Sequence, residues 1–414
     1  MLTQIFKIAL RNVIRRKLQT IALGSMMALT TFAIFAMVGV QTGAFRLLED
    51  SYTQVFNGDI QVRNTAYEDV KDFEKMLSDN DIANIVTVLN DFHNTKVYFT
   101  KRYINFGLAD VNDKNYSFQL VGIEPQSEKN ISIVSKKIVT GAFLDDTNLN
   151  DIIIGQDLAD FLKVKVGDEM TIMTTDIYDS FVIDAFKIKG IYKIGDDLMD
   201  KSSAFISKKY FDDNIVYGNN KMTNITIRLQ DPTYRDQLKA LLKAKANKIT
   251  NVLSWNEIMP EIQQVIEFDF STSMVFYFTL AIIVAFTLLN SMMLATIKRA
   301  PEFGILSAMG LDSSYFKWVL IFENLILATF FVLIGTIVGM IFVIYFSKAG
   351  IPLPDLAEST DKPLTFIDNT LYPNPRNPLL LFGPFIIFVS CMLSVIPPVL
   401  RLRKLNPVQS LTYM

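Results

Sequence analysis

Few residues in this 414-residue chain could do covalent or metal chemistry, and their counts settle much. There is one histidine, His93, and one cysteine, Cys391. A zinc site built from Cys and His is excluded by number, and Ser-His or Cys-His catalysis would rest on His93 alone. No nucleophile motif surrounds His93, so it reads as a surface or loop residue. Three acidic pairs, Asp145-Asp146, Asp196-Asp197 and Asp212-Asp213, stand in turn-like contexts. Mg²⁺ or Ca²⁺ would need further convergent oxygens that this spacing does not supply. No Gly-x-x-x-x-Gly-Lys-(Ser/Thr) string is present to cradle ATP phosphates. A net charge of −2, without clustered Lys/Arg and stacking aromatics, gives no case for nucleic acid. One carboxylate does stand out, because Glu323 interrupts a long apolar stretch. An ionised group there must face a helix bundle or lie near the membrane interface with a partner. Arg15, Arg16, Lys17 and the side chain of Asn290 are the candidate partners. The pairing would either fix the bundle or belong to a substrate path.

Segment 297–314 reads as a short capped helix. Pro301 suits the first helical position, and Glu302 the first turn, where the helix dipole favours an anion. Gly310 suits the C-terminal cap, and Asp312 or Ser313 can cap the helix that follows. Phe303, Leu306 and Met309 form an apolar stripe that needs a partner, either the membrane surface or another protein.

The elements that position these groups are four apolar blocks. A bilayer core of about 30 Å takes about 20 apolar residues in a helix. Residues 18–40, 274–296, 318–346 and 379–400 meet that length. Buried helices of a soluble protein are a poor account of four such blocks. The first could be a signal peptide, but its apolar core is too long and the cleavage pattern around 41–44 is weak. Lys7, Arg11, Arg15, Arg16 and Lys17 precede the first span, and the first acid is Glu49. Lys298, Arg299 and Lys317 lie between spans two and three, and Arg401, Arg403 and Lys404 follow span four. The 347–378 loop mixes both signs. Positive-inside bias therefore puts both termini and the 297–314 loop in the cytoplasm, and the 46–272 domain and the 347–378 loop outside. Within residues 1–17, Lys7, Arg11 and Arg15 share one helical face, with Leu2, Ile5, Phe6, Ala9 and Val13 on the other. That pattern suits a helix on the inner leaflet, or a plain extension of span one.

Residues 46–272 read as a large α+β domain, of one or two lobes. Segments 59–63, 97–108, 117–123, 170–174, 186–192 and 225–229 are rich in β-branched and aromatic residues. Residues 152–154 lead through Gly155 into a helix at Gln156–Leu162, and Asp231-Pro232 signals a helix start. From Trp255 the pattern turns helical, as a stalk leading into span two. The expected fold is thus a membrane protein with four transmembrane α-helices and a large extracytoplasmic α+β domain between the first two. The 401–414 tail is cytoplasmic.

The string Lys298-Arg299-Ala300-Pro301-Glu302-Phe303-Gly304-Ile305-Leu306-Ser307-Ala308-Met309-Gly310 resembles the loop between spans two and three of the FtsX/MacB-like permease superfamily. That loop carries a Glu-Arg-Thr-Arg-Glu-(Ile/Phe)-Gly-(Ile/Val)-Leu-Arg-Ala-(Met/Ile)-Gly pattern. Lys298, Ala300, Pro301 and Ser307 depart from it, which puts individual ATPase salt bridges in doubt but not the helix. Phe322-Glu323 and the tail Arg403-Lys404-Leu405-Asn406-Pro407-Val408 continue the likeness. In the outer domain, 58–62, 121–125 and 164–168 resemble the lipoprotein-releasing branch, the LolC/LolE type. The resemblance implies a non-catalytic permease subunit whose 297–314 helix couples to an ABC ATPase dimer that binds ATP and Mg. Lys298, Arg299, Pro301, Glu302, Phe303, Gly304, Leu306, Met309 and Gly310 would carry that coupling. It also implies a second permease copy or a paralogue, a lipoprotein released from the outer leaflet of the bacterial inner membrane, and a periplasmic carrier as a further partner. A MacB-type efflux or peptide-export permease, and an FtsX-type regulator of a cell-wall hydrolase, are the competing readings. MacB often carries its ATPase fused, and none precedes span one here. The FtsX branch generally has a smaller outer domain.

Overall fold

A computed structural model describes residues 2–65, 75–111, 114–195, 197–218, 221–247, 249–299, 313–352 and 370–402. The chain divides into two compact units, one of residues 1–46, 265–353 and 370–414, the other of 47–264 and 354–369.

Among the described residues four helices are long and apolar enough to cross a membrane, Lys17–Asn57, Pro260–Lys298, Ser314–Ala349 and Pro378–Arg401, and the first unit holds the greater part of each. A separate helix, Leu2–Arg15, precedes the first. The spans approach closely where side chains are missing. Gly335 and Gly339 of the third span, four residues apart, face the first span. A Cβ on Gly335 would lie 2.8 Å from Thr31 Cβ, and one on Gly339 2.8 Å from Phe35 Cδ1. Lipid tails give helices little hydrophobic reason to associate, so such small-residue contacts supply the packing. Met27, Phe35, Tyr277, Leu288 and Val343 lie in the buried core of this unit. The 379–400 segment is not one unbroken helix. It runs as Phe382–Ser394 and Ile396–Leu402, broken at Val395. Pro397 and Pro398 have no N–H to continue the ladder, so the turn before them loosens. The Cys391 carbonyl accepts from Asn324 Nδ2 of the third span at 2.6 Å and from Ser394 Oγ at 2.7 Å.

The second unit is an α+β domain between the first two spans, built on ten strands. They are β1 (Ile60–Asn64), β2 (Val97–Val111), β3 (Lys114–Ile123), β4 (Ile138–Gly141), β5 (Asp151–Gly155), β6 (Glu169–Thr175), β7 (Phe181–Tyr192), β8 (Ser203–Ser207), β9 (Asn224–Leu229) and β10 (Thr250–Ser254). β2, β3, β8, β5, β7 and β6 pair in a closed circuit, because β6 bonds both β7 and β2. Closure pairs each strand of that circuit on both sides, and β4 extends it from β7. The first half of β2 turns to β9, and β9-β1-β10 extends it as an antiparallel sheet. Ile82, Ile85 and Leu89 of helix Asp79–Asp91 and Leu238 and Leu242 of helix Arg235–Lys245 are buried in the same core as Ile60, Val62 and Ile227. In β5, Ile152 and Ile154 enter that core while Ile153 enters a second one with Val121 and Phe205. Burial on both faces explains the unbroken Ile run.

A buried ion pair and a partly buried two-carboxylate bridge stiffen this unit. Arg102 forks onto Glu128, Nη2 to Oε1 at 2.5 Å and Nε to Oε2 at 3.1 Å, with both side chains sealed from solvent. The same guanidinium donates to the Phe56 carbonyl and lies 4.3 Å from the centroid of its ring. Arg235 bridges Glu49 and Asp59. Burial works against the Arg235 charge, but those two carboxylates outweigh it and hold its pKa above the ordinary value.

Candidate functional site

Glu323 stands on helix Ser313–Ala349, ten positions from its start, or about 15 Å along the axis. Its carboxylate meets Arg299, whose Nη1 donates to Oε1 at 2.9 Å and to Oε2 at 3.1 Å. Asn12 Nδ2 donates to Oε1 at 2.7 Å. The Arg299 and Glu323 side chains are 7% and 11% exposed. One carboxylate therefore ties three elements: the N-terminal helix, the end of the second span and the third span. Charge-assisted bonds of this kind are the strong ones, and low surrounding polarity strengthens them further.

The sequence candidates for this partnership, Arg15, Arg16, Lys17 and Asn290, are replaced by Arg299 and Asn12. Arg15 and Lys17 are exposed, and Asn290 is exposed on the second span. Arg16 instead lines, with Asn12, Gln19, Arg299 and Glu323, a cavity of about 50 Å³ beside the tie. The cause is the packing of helix Leu2–Arg15. Its Ile5 and Ala9 are fully buried, and Phe6 meets Phe322 edge-on at 5.9 Å, so Asn12 rather than Arg15 or Lys17 is turned to the third span. The apolar face expected to lie on the leaflet is in large part spent on the protein. Asn12 carried a signal of its own, as an amide between apolar positions of an amphipathic helix.

Of the residues expected to couple to an ATPase, Lys298 ends the second-span helix with an exposed side chain. Arg299 follows it, turned into the bundle. Pro301, Glu302, Phe303, Gly304, Leu306, Met309 and Gly310 lie outside the described residues.

Elsewhere, three carboxylates of the acidic pairs are engaged by cations. Asp145 meets Lys189 at 2.7 Å, Asp146 meets Lys209 at 3.2 Å, and Asp212 meets Lys208 at 2.7 Å. Asp196 lies outside the described residues. His93 is exposed, and among the described residues no cluster of three His, Cys, Asp or Glu side chains could hold a metal.

Comparison with known proteins bears on both units. Residues 274–407 match the FtsX-like permease C-terminal model, and residues 25–245 match the MacB-like periplasmic core domain. The lipoprotein-releasing system transmembrane protein LolC of Neisseria meningitidis serogroup B is 23% identical over 231 residues, 54% of this chain and 55% of that relative. The match thus spans about half the relative's length. An uncharacterized membrane protein of Buchnera aphidicola subsp. Schizaphis graminum is 24% identical over 313 residues, 71% of this chain and 73% of its own. Among solved structures, the periplasmic region of MacB from Actinobacillus actinomycetemcomitans superposes with a TM-score of 0.36 at 14% identity, covering 53% of this chain and 98% of that one. The extracellular domain of the ABC-type transporter YknZ from Gram-positive bacteria gives 0.32 at 14%, covering 47% and 99%.

Proposed function

We infer the function from one premise: this chain belongs to the FtsX-like permease family and carries a MacB-like periplasmic core domain. Permeases of this family are non-catalytic transmembrane subunits of ABC transporters and pair with ABC ATPases. The chain is then the permease subunit of a transporter in the bacterial inner membrane, with both termini cytoplasmic. ATP and Mg are bound and ATP is hydrolysed on a partner ATPase dimer, and a second permease copy or a paralogue completes the complex. The substrate is a lipoprotein, drawn from the outer leaflet by movement of the outer domain and handed to a periplasmic carrier. The likeness to LolC and the outer-domain strings at 58–62, 121–125 and 164–168 support that substrate class.

The observation that carries the coupling reading is the Arg299–Glu323–Asn12 tie. Arg299 is the last described residue before 300–312, the segment proposed to meet the ATPase. A rigid root is what a push needs if it is to move the second and third spans together rather than bend the loop. A second reading, a MacB-type exporter, draws on the MacB-like match over 25–245.

The test is capture of the full-length tagged chain from its own membranes in mild detergent. Recovery of an ATPase with a four-span permease, and a lipoprotein crosslinked to the outer domain, is the expected result. A soluble drug or peptide stimulating the ATPase in place of a lipoprotein would favour export. A cell-wall hydrolase with no transport would overturn both.

A further inference from the structure

The tie at Glu323 uses one side of the N-terminal helix; the other side opens two adjoining crevices. One, about 350 Å³ and apolar but for Thr20 and Lys17, runs along Leu10, Ile14 and Ile21 to Ile326, Phe330 and Phe331 of the third span, with Lys17 at its rim. The second, about 570 Å³, shares Leu10 and Ile14 with the first and is lined by Lys7, Arg11, Gln4 and Tyr315. Both lie in the size range of small-molecule sites, roughly 300–1,000 Å³. Lys7, Arg11 and Lys17 have no acidic partner among the described residues. The sequence places no acid before Glu49, and Glu323, the acid on the facing helix, is occupied by Arg299 and Asn12.

We propose that this paired crevice binds one anionic phospholipid of the cytoplasmic leaflet. An acyl chain fills the apolar groove between the Leu2–Arg15 helix and the third span, and the phosphate is held by Lys7 and Arg11, with Lys17 at the groove rim. Charge complementarity selects this occupant. Cations with no acidic partner among the described residues, beside a predominantly apolar groove, match a molecule that is anionic at one end and hydrocarbon at the other. A second protein helix would find the groove but leave the cations uncompensated. Because the N-terminal helix also carries Asn12, the lipid would set how firmly that helix holds Glu323. The choice of leaflet rests on the cytoplasmic N-terminus proposed above.

The experiment is native mass spectrometry of the full chain in detergent, titrated with phosphatidylglycerol or, separately, phosphatidylcholine. One phosphatidylglycerol per chain should be retained in preference to phosphatidylcholine. The K7Q/R11Q double variant should weaken it by roughly 25-fold, at about fivefold per cation. Ile14→Trp, at an exposed wall residue, should weaken it by filling the groove without changing charge. Equal retention of both lipids, or indifference to either variant, overturns the site. The leaflet is tested apart from it, by labelling a Thr3→Cys variant, at an exposed position in neither crevice, in intact cells with a membrane-impermeant maleimide. Protection supports the cytoplasmic leaflet. Labelling from outside would overturn the leaflet and the orientation together while leaving the lipid adduct intact.

Discussion

Glu323→Gln removes a charge while keeping the side chain's size, and so isolates what the carboxylate does. An amide oxygen can still accept from Asn12, but Arg299 loses both charged bonds, at 2.9 and 3.1 Å, with its side chain 7% exposed. Leaving one member of a buried pair uncompensated costs about 3–5 kcal/mol, and the slight exposure of this pair points to the lower end. Arg299→Gln should cost a similar amount, because the carboxylate is then left with Asn12 alone. The double variant E323Q/R299Q leaves no orphan charge, so it should be less damaging than the sum of the two singles. A coupling of roughly 2 kcal/mol is expected for groups in one network. Thermal unfolding of the detergent-solubilised chain, read by size-exclusion recovery, supplies the cycle, with ATPase capture measured in parallel. Strictly additive effects would refute the pair. Normal stability and assembly with transport lost would refute the structural role and put Glu323 in the substrate path.

Three other perturbations follow from the same structure. Gly335→Leu should collapse the yield of folded chain, and Gly335→Ala should cost about 1–3 kcal/mol by overpacking against Ala28 and Thr31, read as a lower unfolding temperature in detergent. Glu128→Gln should destabilise the outer domain by about 3 kcal/mol or more, whereas R102M/E128M should be less damaging, because it leaves no buried charge unpaired and only the Phe56 carbonyl loses a donor. Limited proteolysis of the full chain separates those outcomes. Burial pushes the Glu257 carboxyl up, but Lys239 and the capping bonds from Ser254 outweigh it and hold its pKa below 4.5. A depressed folded pKa contributes stability that is present above about 4.5 and lost as pH falls through the folded value. Glu257→Gln should therefore flatten the acid limb of a stability profile and lower its neutral plateau.

The spans were legible because length and apolarity alone define them, and Glu323 because a carboxylate breaks such a run. Its partners were not. Arg299 reads from sequence as one cation of a charged loop, and only the packing of helices two and three turns it inward. Asn12 needed the unforeseen contact between Phe6 and Phe322 to bring it near. In the outer domain, the long strands and the Gln156–Leu162 helix showed in composition. β4 did not, since three of its four residues are exposed and its pairing, not its burial, makes it a strand. β8 is buried on both faces and β10 sets Asn and Ser among its apolar residues, so neither shows a clear alternation. Closure of the barrel by β6 against β2 joins residues more than 60 apart, a contact no local pattern encodes. The helix from Trp255 is interrupted at Met259, after which Pro260 begins the second-span helix in the position that suits proline.

The most direct measurement of the central claim is lipoprotein release from proteoliposomes containing the captured complex, with ATP supplied and a soluble acceptor outside. The account predicts ATP-dependent release that R299Q and E323Q each reduce while ATP hydrolysis by the complex persists. Release that is indifferent to both variants, or hydrolysis without release in the unaltered complex, would contradict it.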